Sequence, residues 1–169
     1  DLHRALSRGE PEAVAELRQY HPDPIDPANA KLTDAQLVLA RSYQASSWPR
    51  LVQACQLAEA IWENDIDTVR DLVTNNPRLL AEDVLIRTDS NWGPPMTYAA
   101  NLGRNAIIRM LHGLGARDLE SALGRAALQG QTSTVHLVYE LAGRPRLDTY
   151  GLAGPAYTLS VAGTAVLFE

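Results

Sequence analysis

The chain has 169 residues, of which 46% are hydrophobic and 21% are charged, and its formal net charge is −5. A chain of this size can bury a core without disulfides, and the single cysteine, Cys55, excludes an internal one. The acidic balance argues against a nucleic-acid-binding protein, and no apolar run approaches the length of a membrane span. No segment resembles a secretion signal. We therefore expect a cytoplasmic protein with neither a nucleic-acid partner nor a membrane partner.

The first 21 residues predict two helices joined by a tight bend. Ala5 stands four positions before Gly9, and the aliphatic residues Val14 and Leu17 follow. Glycine readily adopts the left-handed backbone that ends one helix and lets another begin. The same spacing, with alanine four positions earlier and aliphatic residues five and eight positions later, recurs at Asn64, Gly103 and Gly130. Asparagine also tolerates the left-handed conformation, so we expect four bends of one kind.

Residues 22–55 predict an exposed connection followed by extra helices. The prolines from Pro22 to Pro27 remove hydrogen-bond donors and restrict their neighbours, which excludes a helix there. Thr33 and Gln36 fit a capping box, which predicts a short helix that begins after Thr33. Ser47 is placed to cap another helix, with Pro49 in its first turn.

The most informative segment begins at Trp92. It reads Trp92-Gly93-Pro94-Pro95-Met96-Thr97-Tyr98-Ala99-Ala100-Asn101-Leu102-Gly103, and it continues with Ile107, Ile108, Met110, Leu111 and Gly115-Ala116. This order of turn glycine, short helix, second glycine, apolar helix and closing Gly-Ala pair resembles one unit of the ankyrin repeat family. Residues 35–51 also resemble a segment of bacterial ankyrin-type proteins. The resemblance implies an all-α, ankyrin-like solenoid of helix-turn-helix repeats with an extra helical insertion near the N-terminus.

The resemblance gives a single ankyrin-like domain over residues 1–169, with a partial fifth repeat. The units are repeat 1 at about 2–21, the helical insertion at about 22–55, repeat 2 at about 56–80, repeat 3 at about 90–116, repeat 4 at about 119–143 and partial repeat 5 at about 151–169. The bends are 55, 39 and 27 residues apart, against roughly 33 in a regular array. The array is therefore expected to be degenerate. Pro94-Pro95-Met96-Thr97 replaces the family's Thr-Pro-Leu-His, so its side-chain hydrogen bonds should be lost or replaced.

The resemblance also implies function, because ankyrin arrays generally bind other macromolecules and catalyse nothing. We expect a non-catalytic interaction module that binds an unknown protein on its concave finger and first-helix face. The residues expected to contact that partner are Asn91, Trp92, Asn101, Leu102, Arg104, Leu128 and Gln129. Trp92 could instead pack against the protein itself. The alternatives are a regulatory or targeting segment of a larger enzyme and a small-molecule enzyme on a helical scaffold.

No catalytic, metal or cofactor motif stands out. The four histidines lack the spacing of a helical metal site, and no nucleophile elbow or phosphate-binding loop occurs. The carboxylates near Asp65 precede a predicted helix, where they favour stabilisation of its N-terminus over acid-base chemistry. Cys55 is expected to pack on the apolar side of its helix, and Trp62 is expected to be half-buried beside the small residues of its unit.

The end of the chain is apolar. Val161, Val166, Leu167 and Phe168 lie within its last nine residues, whereas a solenoid normally closes with a polar cap. We therefore expect either a parent protein that continues beyond residue 169 or self-association through this end.

Overall fold

The computed structural model describes residues 1–84 and 92–143, and within these ranges the regular structure is entirely helical. This confirms the expected all-α class. Asn91, partial repeat 5 and the apolar C-terminal residues lie outside the described residues. Two short 3₁₀ helices, Pro27–Asn29 and Pro77–Leu80, accompany nine α-helices in the described ranges. These are α1 (Leu2–Ser7), α2 (Pro11–Tyr20), α3 (Leu32–Ser42), α4 (Trp48–Trp62), α5 (Ile66–Asn75), α6 (Pro95–Asn101), α7 (Asn105–Gly113), α8 (Leu119–Leu128) and α9 (Thr132–Leu141).

The described residues form two compact units, each with its own core. In the first, residues 1–54, the core is built around Leu6, Leu17 and Val38. The second comprises residues 55–84 and 92–143 and has the larger core, which includes Ile61 and Leu111. The predicted repeat boundaries stay a prediction, because helix pairs alone do not define a repeat.

The four predicted bends share one backbone geometry. At Gly103 the φ angle is +69°, and the N–H of Arg104 donates to the carbonyl of Ala99 at 2.9 Å. Gly9, Asn64 and Gly130 also have positive φ, and the residue after each donates to the alanine five positions before it. This bond closes a left-handed helix end by satisfying a carbonyl that the helix leaves free. The prediction of four bends of one kind is therefore confirmed.

A fifth bend of this geometry lies between α3 and α4. Gln44 has a φ of +61°, and the N–H of Ala45 donates to the carbonyl of Ala40 at 2.9 Å. Glutamine seldom adopts a left-handed conformation, so the sequence pattern did not include this position.

Two of the capping predictions concern the first residues of α3 and α4. The capping box at Thr33 is wrong: α3 begins at Leu32, and the Asp34 carboxylate accepts from the N–H of Lys31 at 2.7 Å. A charged carboxylate is a stronger acceptor than the Gln36 amide, which favours the earlier start. The prediction for Ser47 is confirmed, since its hydroxyl oxygen accepts from the N–H of Arg50 at 3.4 Å.

Asp65 caps α5 as expected. The N–H and the hydroxyl of Thr68 donate to its two carboxylate oxygens at 3.1 and 2.6 Å. These two hydrogen bonds, the one from the hydroxyl first, hold the pKa of Asp65 below its ordinary value of 3.8.

We expect Asp65→Ala to destabilise the protein more at about pH 6 than at about pH 2. A carboxylate whose folded pKa is lowered contributes stability above its unfolded pKa of about 3.9, and this is lost as pH falls through the folded value. Urea unfolding of both proteins at the two pH values measures the difference. An equal loss at both pH values would show that the ionised carboxylate has no role in the cap.

Candidate functional site

Three of the bends lie side by side in the second unit. They join α4 to α5 at Asn64, α6 to α7 at Gly103 and α8 to α9 at Gly130. The guanidinium of Arg104 donates to the carbonyl of Trp62, which connects the first bend to the second. Gly103 packs so closely against Gln131 that a Cβ atom at position 103 would lie 2.6 Å from the side-chain oxygen of Gln131. We name residues 62–65, 101–104 and 128–131 together the bend row.

Large apolar side chains are exposed at matching positions of the bend row. Trp62, Asn101 and Leu128 each stand two residues before the left-handed residue of their bend. The side chains of Trp62 and Leu128 are 54% and 58% exposed. Exposed apolar side chains are ordinary when scattered singly. These two stand at matching positions of the first and third bends of one connected row.

Polar contacts behind the bend row fix neighbouring helices to each other. The side-chain oxygen of Asn105 accepts from the hydroxyl of the buried Thr134 at 2.7 Å, and its amide donates to Ser133 at 3.2 Å. These bonds join the first turn of α7 to that of α9. The row is therefore held by side-chain bonds between helix pairs as well as by the backbone of each bend.

The structure separates the residues predicted to contact a partner into two groups. Five belong to the bend row, and they are Asn101, Leu102, Arg104, Leu128 and Gln129. Leu102 is only partly exposed and packs against the core, whereas Leu128 and Gln129 are exposed. Trp92 precedes the other end of α6, whose seven residues extend about 10 Å. Asn91 lies outside the described residues.

Trp92 makes an intramolecular contact of its own. Its ring stacks on that of Tyr98 with a centroid distance of 4.9 Å and an interplanar angle of 20°, and it packs against the larger core. Tyr98 is buried, and this burial raises the pKa of its hydroxyl. Trp92 thus contributes to packing within the chain, and a role in binding stays a prediction.

The prediction that Cys55 packs inward is wrong, whereas Trp62 is about half exposed, as expected. Cys55 is exposed because the inward positions of α4 are Ala54, Leu57 and Ile61, which leave residue 55 on the outer side of the helix. Trp62 is exposed because Ile61 takes the inward position in the last turn. The sequence predicted the partial exposure of Trp62 but not its place in the bend row. Aligning it with Asn101 and Leu128 by their distance from the bend would have indicated its position.

A groove of about 400 Å³ lies between α4 and α5. The α4 side is formed by residues with helical spacing, including Glu59, Ala60 and Glu63, and the α5 side includes Asp71 and Leu72. The groove is open to solvent and combines carboxylates with an apolar floor.

Other kinds of site find no support in the described ranges. Residues 1–84 and 92–143 hold no group of three histidine, cysteine, aspartate or glutamate side chains that could bind a metal ion. Within the same ranges, no helix has the length and apolar character needed to cross a bilayer. Comparison with protein-family models, with curated proteins and with solved structures gives no match to this chain.

Proposed function

We propose that this chain is a non-catalytic protein-binding module of the ankyrin-like kind, which binds a macromolecular partner through its bend row. The observation that carries the proposal is the exposure of Trp62 and Leu128 at matching positions of connected bends. The cytoplasm is the compartment that this function and the composition favour.

Contacts between successive helix pairs support the ankyrin-like part of the proposal. The pairs α4 with α5, α6 with α7, and α8 with α9 close with the same left-handed geometry. Thr97 occupies the position of the family's histidine, and its N–H and hydroxyl donate to one carboxylate oxygen of Asp118 at 2.9 and 2.6 Å. The hydrogen bonds lost with the family's threonine and histidine thus have a replacement here.

The physical basis of binding would be a rigid frame that presents exposed anchors. Side chains behind the bend row, such as Ile107, Ile108 and Leu123, are at most 1% exposed, so the frame has little freedom to lose on binding. Tryptophan is among the residues that contribute most to interface energy, and a leucine adds apolar area beside it. We therefore assign the anchor role to Trp62 and Leu128, with Asn101 and Gln129 as polar contacts between and beside them.

We expect Leu128→Ser to weaken binding to the partner about tenfold or more, a loss of about 1.4 kcal/mol. The substitution removes apolar area from the interface. It should change the stability of the fold little, because a side chain that is 58% exposed contributes little to the folded core. The partner is first captured from cells with the native protein and identified by mass spectrometry, and its affinity is then measured with purified components.

The matched control is Leu114→Ser. Leu114 is 42% exposed at the end of α7, outside the bend row, so its substitution removes similar apolar area from a different place. Affinity should be unchanged in this variant. Equal affinity of all three proteins for the partner, with thermal unfolding unaltered, would show that the bend row is not the binding surface.

A further inference from the structure

We infer that the groove between α4 and α5 receives an arginine-rich segment of the partner protein, an inference that rests on the proposed function and specifies the partner's chemistry. The groove adjoins the bend row, since Glu63 both lines it and follows Trp62. One partner could therefore contact the exposed tryptophan and enter the groove.

The groove carries negative charge without compensation from its own walls. Glu59 lines it from α4 and Asp71 from α5, Glu63 and Asp65 line it from the bend between these helices, and none of the lining residues is basic. The nearest arginine on α5 in the sequence, Arg70, pairs with Asp67 at 2.6 Å, and neither of these residues lines the groove. Among the described residues, no basic side chain pairs with Glu59, Glu63 or Asp71.

Negative charge is concentrated in this part of the second unit. Residues 55–84 contain seven carboxylates and two arginines, whereas residues 92–143 contain three carboxylates and four arginines. The excess of five negative charges in the first range equals the formal net charge of the entire chain. A field of one sign in a groove attracts the opposite charge and accelerates association with it.

The floor of the groove favours arginine among cationic groups. Ala60 and Leu72 provide apolar surface against which the methylene stem of a long side chain can pack. The guanidinium can donate two parallel hydrogen bonds to a carboxylate, which a lysine ammonium cannot match in geometry.

The test uses fluorescently labelled oligoarginine and oligolysine peptides and the captured partner, with binding measured by anisotropy at low salt. We expect the native protein to bind oligoarginine more tightly than oligolysine, and Glu59→Gln with Glu63→Gln to weaken oligoarginine binding about tenfold or more. The control pair is Glu12→Gln with Glu120→Gln, which changes net charge equally at exposed residues that do not line the groove. Asp71→Asn, on the opposite wall, provides a second groove variant.

The outcomes distinguish the inference from the function on which it rests. Loss of oligoarginine and partner binding in the groove variants alone supports the inference. Equal loss in the control pair would overturn the inference, because peptide binding would then depend only on net charge. Equal affinity of the native protein for oligoarginine and oligolysine would also overturn it. Partner binding that responds to Leu128→Ser but not to the groove variants would overturn the inference and leave the proposed function standing.

Discussion

Leu111→Ala should lower the free energy of unfolding by about 2–5 kcal/mol. Leu111 is fully buried in the larger core on the same helix as Ile107 and Ile108, which are also fully buried. Truncation removes apolar contacts and leaves a cavity that the surrounding side chains fill only in part. Urea unfolding followed by circular dichroism measures the change.

The control for this prediction is Leu114→Ala, three residues later and directly after the end of α7. Leu114 is 42% exposed, so its truncation leaves no closed cavity and should cost well under 1 kcal/mol. A loss below about 1 kcal/mol at Leu111 would contradict its inward position in α7.

Asp118→Ala should destabilise the protein by about 2–4 kcal/mol. Pro94 precedes α6 and has no side-chain acceptor, so Asp118 satisfies the free N–H of Thr97 in the first turn of that helix. The same carboxylate oxygen accepts from the Thr97 hydroxyl. Thr97 is only 3% exposed, so both donors would lose their partner in a place that water reaches poorly.

Thermal and urea unfolding of three variants test this role of Asp118. Asp118→Asn keeps an acceptor oxygen and should cost less than half as much as the alanine variant, since only the charge is lost. Glu120→Ala removes an exposed carboxylate from the first turn of α8 and should cost less than about 1 kcal/mol. If Asp118→Ala and Glu120→Ala were equally mild, the hydrogen bonds to Thr97 would not be stabilising the pair of helices.

The bends could be predicted because their cause is local. The pattern of each bend combines an alanine, a glycine or asparagine, and two aliphatic residues within about ten positions. Glycine and asparagine tolerate positive φ, which explains the backbone conformation at Gly103 and Asn64. Gln44 could not be predicted in the same way, because its own preference opposes the conformation that the chain adopts there.

The surface could be predicted only in part. Repeated spacing places the residues at the ends of α6 and α8 in the same part of each helix pair, and their role in binding stays a prediction. Cys55 was placed inside because the sequence shows that α4 is apolar but not which side of it faces neighbours. The contact of Arg104 with Trp62 joins residues 42 positions apart, and a local sequence pattern does not predict a contact between residues so far apart in the chain.

The hydrogen bonds from Thr97 to Asp118 illustrate the same limit. The resemblance predicted only that the bonds of a Thr-Pro-Leu-His segment would be lost or replaced where this chain has Pro94-Pro95-Met96-Thr97. It did not identify Asp118, because that residue also stands directly before α8, where an aspartate has an ordinary local explanation as a helix cap.

The sequence separation between hydrogen-bonded residues affects the order in which the helices assemble during folding. Each bend closes through a bond that spans five residues, whereas bonds between helix pairs span 21 residues at Thr97 and 42 at Arg104. Short loops close within about 10–100 ns, and helices form within about a microsecond. Individual hairpins can therefore form and dissolve many times before a neighbour docks. The rate-limiting event in folding is then expected to be the docking of one preformed hairpin on the next, with Asp118 and Arg104 engaged late.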